Sequence, residues 1–214
     1  MKVKEIMSLT AKLLNEADLK KCIKYCFDNE MEIDEFLELQ NQSVSENDPD
    51  YIEVPEYLNE QTEKQLRLIL DCINIVELMI SSEYKPLIYE EEIQVENCEF
   101  NIDNLSQKLA KIKQITYGYS KQNYELVNNK IIMKDGKYKI KYSYYPKEVD
   151  FDEEVDDYSG NLALLTFCYG VCFEYLLISG AFEEADMWKE KFEQSLTNNF
   201  RSIKSTFIKG RRWL

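Results

Sequence analysis

The spacing of apolar residues changes twice along this chain, and this change constrains the fold more than any other sequence feature. Up to Tyr84, apart from the stretch Gln40–Leu58, the apolar residues recur every three or four positions, as they do on one face of a helix. After Lys85-Pro86 they alternate with polar residues, which is the spacing of a strand. The helical spacing returns after Pro146. An order of helices, strands and helices favours an α+β protein over a doubly wound fold.

The helical spacing predicts five helices. They cover residues 3–17, 19–39, 61–81, 158–179 and 182–200. The stretch Gln40–Leu58 contains two X-Pro pairs and is expected to be an extended loop. The run from Leu162 to Ile178 is almost entirely apolar but contains Glu174, which would be costly in lipid. We therefore expect a helix buried in protein and no membrane association.

The alternating region contains one strong turn signal. Short strands are expected around Ile88–Ile102 and around Ile112–Tyr117. In residues 130–145, KIIMKDGKYKIKYSYY, the pair Asp135-Gly136 suits a type I′ turn and predicts a hairpin. Beyond this turn the alternation places the tyrosines and Ile140 on one face and the lysines on the other.

These elements predict an α+β fold that is mainly a helical bundle with a small β-sheet insertion in the middle of the chain. The helical core would comprise residues 1–84 and 147–200, and the β-rich insertion residues 85–146. Residues 147–157 carry seven acidic side chains and one lysine, which predicts an exposed connector. Residues 201–214 would form a basic C-terminal tail.

Composition excludes several classes of function. The 214 residues include 26 Lys and Arg, 40 Asp and Glu and no histidine, for a net charge of −14. Such acidity disfavours wrapping of nucleic acid, and the lack of histidine excludes catalysis by Ser-His-Asp or Cys-His groups and His-ligated zinc. The GxGxxG, GxxxxGK[ST] and GxSxG motifs are also missing. We expect no enzymatic activity and no cofactor, and the N-terminus lacks the apolar run of a signal peptide.

Cysteines and carboxylates are the remaining candidates for metal ligands. Cys22 and Cys26 are four residues apart, as are Cys168 and Cys172, among apolar and aromatic neighbours. This context favours buried free thiols over a four-thiolate zinc site. The runs Glu90–Glu92 and Asp150–Asp157 are expected to be solvated charge, and the second lacks the glycine and final glutamate of a calcium loop. We expect no metal site.

Charge is distributed unevenly along the chain. Residues 25–63 contain 13 acidic side chains and no Lys or Arg, whereas residues 104–147 contain ten lysines and two acids. Both regions could be solvated in a monomer. Alternatively, the acidic segment of one subunit contacts the basic sheet of its neighbour, a heterologous contact that can close into a ring.

The C-terminal segment SIKSTFIKGRRWL combines basic and apolar residues and contains no acid. It could be a disordered end. The alternative is a partner-binding tail in which Trp213 anchors the segment and the arginines contact carboxylates. The candidate partner-binding residues are Arg201, Lys204, Phe207, Lys209, Arg211, Arg212 and Trp213.

Three segments together resemble the head-to-tail connectors of tailed bacteriophages, and are most similar to the tail-tubular-protein-A-like adaptors. They are VKEIMSLTAKLLNEA at the start, GKYKIKYSYYP before the acidic run, and SGAFEEADMWKEKFEQSL after the apolar helix. The family's Tyr-x-x-Pro-like element corresponds to Tyr142–Pro146, and its Gly-x-x-Glu-x-Ala-x-x-Trp element to Gly180, Glu183, Ala185 and Trp188, with slightly different spacing. The Gln40–Leu58 loop and the strong acidity have no counterpart in this resemblance.

The resemblance implies a structural virion protein of the neck or tail, assembled in the host cytoplasm. It implies a homo-oligomeric ring, expected to be a dodecamer, that binds the portal protein and tail proteins while DNA passes through the lumen without specific binding. The C-terminal tail would then contact the portal. The alternative is a soluble acidic interaction module or regulator acting as a monomer or dimer, and a third hypothesis is a metal-dependent enzyme that uses the acidic runs.

Overall fold

The computed structural model describes residues 1–28, 57, 59–156, 158 and 162–200. The α-helices in this part of the chain are α1 (Val3–Leu14), α2 (Ala17–Asp28), α3 (Glu60–Met79), α4 (Leu164–Ile178) and α5 (Phe182–Phe200). The strands are β1 (Leu87–Val95), β2 (Glu99–Asn101), β3 (Leu109–Tyr117), β4 (Ser120–Lys121), β5 (Glu125–Val127), β6 (Lys130–Ile132) and β7 (Gly136–Tyr144). A π-helical turn, Ile80–Tyr84, extends α3.

The helices surround α4. This helix contacts α1, α3 and α5, and most of its residues are buried. Each neighbouring helix contributes one apolar face to this core. These faces include Ile6 and Met7 of α1, Ile69 and Ile73 of α3, and Phe192 and Leu196 of α5. A helix enclosed on several sides must be apolar all round, which explains the long apolar run in the sequence. None of the helices in the described residues has the length and apolar character needed to span a membrane.

The strands form two antiparallel sheets. The large sheet has the order β1-β7-β3-β4, and the small sheet has the order β2-β6-β5. Their facing sides enclose a second hydrophobic core, which includes Ile93, Ile115, Ile131 and Ile140. Tyr142 is fully buried in this core, and its hydroxyl donates a 2.5 Å hydrogen bond to Glu91 Oε1.

The chain is α+β, but the prediction of a mainly helical bundle with a small inserted sheet is wrong. The helices are short, and residues 87–144 form a central part of the structure with two sheets and a core of their own. The apolar side of the large sheet packs mainly against the small sheet, and its end at Leu87 and Tyr144 also packs against the helical core. The predicted domain boundaries and the separate C-terminal tail stay predictions.

The predicted hairpin at Asp135-Gly136 is also wrong. Strand β6 pairs with β2 and β5, whereas β7 pairs with β1 and β3, so residues 133–135 carry the chain from one sheet to the other. A left-handed two-residue turn lies instead at Asn128-Asn129, with φ of 45° and 65°, between the paired strands β5 and β6. Asparagine tolerates this conformation better than most residues.

Gly136 nevertheless has a conformation that suits glycine. Its φ is +153°, and an added Cβ would lie 3.3 Å from the ring of Tyr138. We expect Gly136→Val to lower the free energy of unfolding by about 1–3 kcal/mol, measured by urea denaturation. Lys137→Val at the next, exposed position of β7 is the control and should change stability little. Equal stabilities for the two variants would contradict this explanation.

Parts of the connector and of the predicted helices differ from expectation. Phe151 and Val155 are buried, so the described part of the connector is not simply exposed. The side chain of Asn74 in α3 holds the connector through two hydrogen bonds with the backbone of Val149. Its Nδ2 donates to the Val149 oxygen at 3.2 Å, and its Oδ1 accepts from the Val149 N–H at 2.8 Å. Helix α4 begins at Leu164 rather than at residue 158. Most of the predicted Gln40–Leu58 loop and residues 29–39 of the second predicted helix lie outside the described residues.

Candidate functional site

The large sheet has one apolar face and one polar face. In β7 the side chains of Tyr138, Ile140 and Tyr142 are buried against the small sheet, as the alternation predicts. The cross-strand pairing with β7 defines the opposite face, which we call the outer face. Its members are Ile88, Glu90, Glu92 and Gln94 of β1, Lys137, Lys139, Lys141 and Ser143 of β7, and Lys111, Gln114 and Thr116 of β3.

Charge changes sign from one side of the outer face to the other. Glu90 of β1 contacts Lys139 at 2.9 Å and Lys141 at 3.7 Å. The hydrogen bond and charge of Lys139 lower the pKa of Glu90. These ion pairs are exposed and contribute little stability. Farther across the sheet, Lys111 and Lys113 form no ion pair with any acid in the described residues.

In the described part of the chain, both sides of the large sheet end in an open strand edge. Among the strands that the structure describes, β1 pairs only with β7. On the other side, β4 pairs with β3 only at Thr116 and Tyr117, which leaves residues 109–114 with an unpaired edge. We call the β1 side, with Glu90 and Glu92, the acidic edge. We call residues 109–114, with Lys111 and Lys113, the basic edge.

Glu91 lies between the two acids of the acidic edge but faces inward. Its carboxylate accepts hydrogen bonds from the Tyr142 hydroxyl at 2.5 Å and from the backbone and side chain of Ser106 at 3.0 and 2.5 Å. Burial raises the pKa of Glu91, but these hydrogen bonds outweigh burial and lower it overall. Glu91 therefore holds the segment after β2 against the sheet, whereas Glu90 and Glu92 remain at the surface.

Glu77 of α3 carries a buried carboxyl at the junction between the helices and the acidic connector of residues 147–157. Its Oε1 accepts a 2.7 Å hydrogen bond from the backbone of Asp156, and its Oε2 has no partner in the described part of the chain. Burial raises the pKa of Glu77 from 4.5 to about 7. The Tyr158 hydroxyl donates to the Glu77 carbonyl at 3.1 Å. These contacts attach the connector to α3, whereas burial brings the pKa of the Glu77 carboxyl to about 7.

The prediction of buried thiols for the two cysteine pairs is confirmed. Cys22, Cys26, Cys168 and Cys172 are buried and free. Burial raises the pKa of Cys22, Cys168 and Cys172 to about 12 and that of Cys26 to about 11. These thiols are therefore protonated at neutral pH and are poor nucleophiles.

In the described residues, the acidic connector contacts α1 and forms hydrogen bonds within itself. Lys4 of α1 forms an ion pair with Asp152, and Glu153 Oε2 accepts a 2.9 Å hydrogen bond from the backbone of Asp150. Within residues 1–28, 59–156 and 162–200, no group of three or more Cys, Asp or Glu side chains has the arrangement of a metal site.

The seven candidate partner-binding residues, from Arg201 to Trp213, lie outside the described residues, so their role stays a prediction. The two charged edges were not predicted as a site. Their charges are visible in the sequence as the run Glu90–Glu92 and the lysines after residue 104. Their positions on opposite edges depend on the strand order β1-β7-β3, which the sequence does not show directly.

No model of a known protein family matches the chain, and the sequence has no significant match among curated proteins.

Proposed function

We propose that this chain is a structural subunit that assembles with copies of itself into a ring, as a head-to-tail adaptor of a tailed bacteriophage. In this role it joins the portal to the tail and leaves a channel for the genome. Two independent features support the proposal. One is the resemblance of its N-terminal helix, its Tyr142–Pro146 element and its Gly180–Trp188 segment to connector proteins. The other is the surface of the large sheet.

The observation that carries the proposal is the basic side of an otherwise acidic protein. The net charge of −14 makes copies of the chain repel one another over most of their surface. Lys111 and Lys113 lie at an open strand edge without an ion pair in the described residues. A surface of this kind favours association with an acidic partner, and another copy of this chain supplies one.

The overall acidity also fits the proposed channel. A negatively charged ring repels the phosphates of DNA, so a genome that passes through the lumen is not held by specific contacts.

A second candidate function is an acidic interaction module that acts as a monomer or dimer. The same edges favour it, because charged side chains on edge strands are a common means of preventing association of sheets. The two functions differ in oligomeric state and in binding to a portal.

Purified full-length protein, imaged by negative-stain electron microscopy alone and with purified portal, tests the proposal. We expect rings that stack coaxially on the portal. A chain lacking residues 209–214 should still form rings but fail to attach to the portal, as predicted for the C-terminal tail. Particles of monomer size that do not bind the portal would contradict the adaptor function and favour the interaction module.

A further inference from the structure

We propose that the acidic edge of one copy pairs with the basic edge of the next, so that the large sheet continues from subunit to subunit. This inference rests on the proposed self-assembly and specifies the surface that performs it. The partner is a second copy of this chain, and the contact is heterologous because two different edges meet.

Strand direction and length allow this pairing. Strands β1 and β3 are each antiparallel to β7, so they run parallel to each other. A copy related by a small rotation therefore places its basic edge alongside and parallel to β1. The basic edge, residues 109–114, can lie alongside part of the nine-residue strand β1. The pairing satisfies backbone N–H and C=O groups that the isolated sheet leaves without a strand partner.

Charge selects this contact over the symmetric alternatives. Pairing of two acidic edges would bring Glu90 and Glu92 against the same residues of the other copy. Pairing of two basic edges would oppose Lys111 and Lys113 in the same way. Like charges placed opposite each other are destabilising in a sheet and across an interface. The edges thus disfavour a twofold dimer while permitting a head-to-tail series of copies, which closes into a ring if the rotation allows.

Apolar side chains at both edges add to the contact. Ile88 and Tyr89 of β1 are 44% and 39% exposed. The ring of Tyr89 packs edge-on against Tyr142 and Tyr144, with centroids 6.1 and 6.4 Å apart, which orients it at the edge. Leu109 and Ile112 of the basic edge are half-buried. Pairing of the edges removes part of this apolar surface from water.

Charge reversal and mixing test the pairing. The first variant is Glu90→Lys with Glu92→Lys, and the second is Lys111→Glu with Lys113→Glu. Each variant alone has two edges of the same sign, so its apparent dissociation constant for self-association should rise at least ~100-fold. An equimolar mixture restores an acidic edge opposite a basic edge at every contact. We expect the mixture to assemble into oligomers in which the two variants alternate, measured by mass photometry.

The controls separate this inference from loss of folding and from the proposed function. Asp186→Lys on α5 and Lys20→Glu on α2 change exposed charges away from both edges and should leave assembly unchanged. Recovery of assembly in the mixture shows that both variants are folded. If wild type assembles and either variant assembles equally well alone, or if the mixture stays monomeric, the edge pairing is wrong. If wild type itself does not assemble, the proposed ring function fails with it.

Discussion

Replacing Gly170 with valine is expected to lower the free energy of unfolding by about 3 kcal/mol, because the new side chain has no space. An added Cβ would lie 2.9 Å from Phe192 Cε2 and 2.9 Å from Val76 Cγ1. Phe192 and Val76 are themselves buried, so neither can move aside without disturbing the core. Forcing extra carbon atoms into a packed core typically costs about 1–3 kcal/mol, and occasionally more. The midpoint of urea denaturation measures the change.

Two comparisons show whether the close approach is the cause. Leu165→Val changes an exposed residue of the same helix and should have little effect. Gly170→Ala combined with Phe192→Leu should be more stable than the sum of the two single effects, because the smaller side chain relieves the contact. A Gly170→Val protein as stable as wild type would show that α3, α4 and α5 do not meet closely at this position.

The second large effect concerns the buried carboxyl of Glu77. Burial raises its pKa from 4.5 to about 7; the charge of Asp156 acts in the same direction, whereas the hydrogen bond from the Asp156 backbone and the N-terminal amino group oppose it. Burial and the charges of the Glu77 and Asp156 carboxyls raise the pKa of the Tyr158 and Tyr144 hydroxyls. The Tyr158 hydroxyl also contacts the Glu77 backbone. An acid with a raised pKa in the folded state holds its proton more tightly there than in the unfolded chain. Its contribution to stability is therefore lost as pH rises from about 4.5 to about 7.

Glu77→Gln removes this titration and keeps an acceptor for the Asp156 N–H. The free energy of unfolding of the variant, relative to wild type, should rise by roughly 2–3 kcal/mol between pH 5 and pH 8. Urea denaturation at several pH values measures the difference. Glu83→Gln removes an exposed carboxyl nearby and should follow wild type at every pH. A constant difference between Glu77→Gln and wild type across this range would contradict a buried, protonated Glu77.

Local patterns in the sequence predicted most of the individual elements. The helical spacing agrees with α1, α3 and α5, and the alternation in residues 136–144 agrees with the two faces of β7. Each of these elements buries a single side, so a single residue spacing describes it. The apolar run of α4 predicted burial, but not the close approach of α3 and α5 at Gly170.

The errors arose where long-range pairing decides the structure. The Asp135-Gly136 signal is local, whereas the partners of β7 are β1 and β3, whose residues are distant from the turn. The β-rich region was predicted to be a small sheet inserted in a helical bundle, but its strands form two sheets that enclose a core of their own. For the same reason the lysines could be counted from the sequence, but not assigned to one edge. The charges were predictable, and their arrangement required the strand order.

The central claim is that copies of this chain assemble side by side through opposite charges. Mass photometry of the full-length wild-type protein at low and high salt tests it most directly. At about 0.05 M salt we expect a discrete species many times heavier than the 25.4 kDa monomer. At about 1 M salt, where the screening length falls to ~3 Å, we expect this species to weaken or dissociate. Particles of 25.4 kDa alone at every protein and salt concentration would contradict the claim.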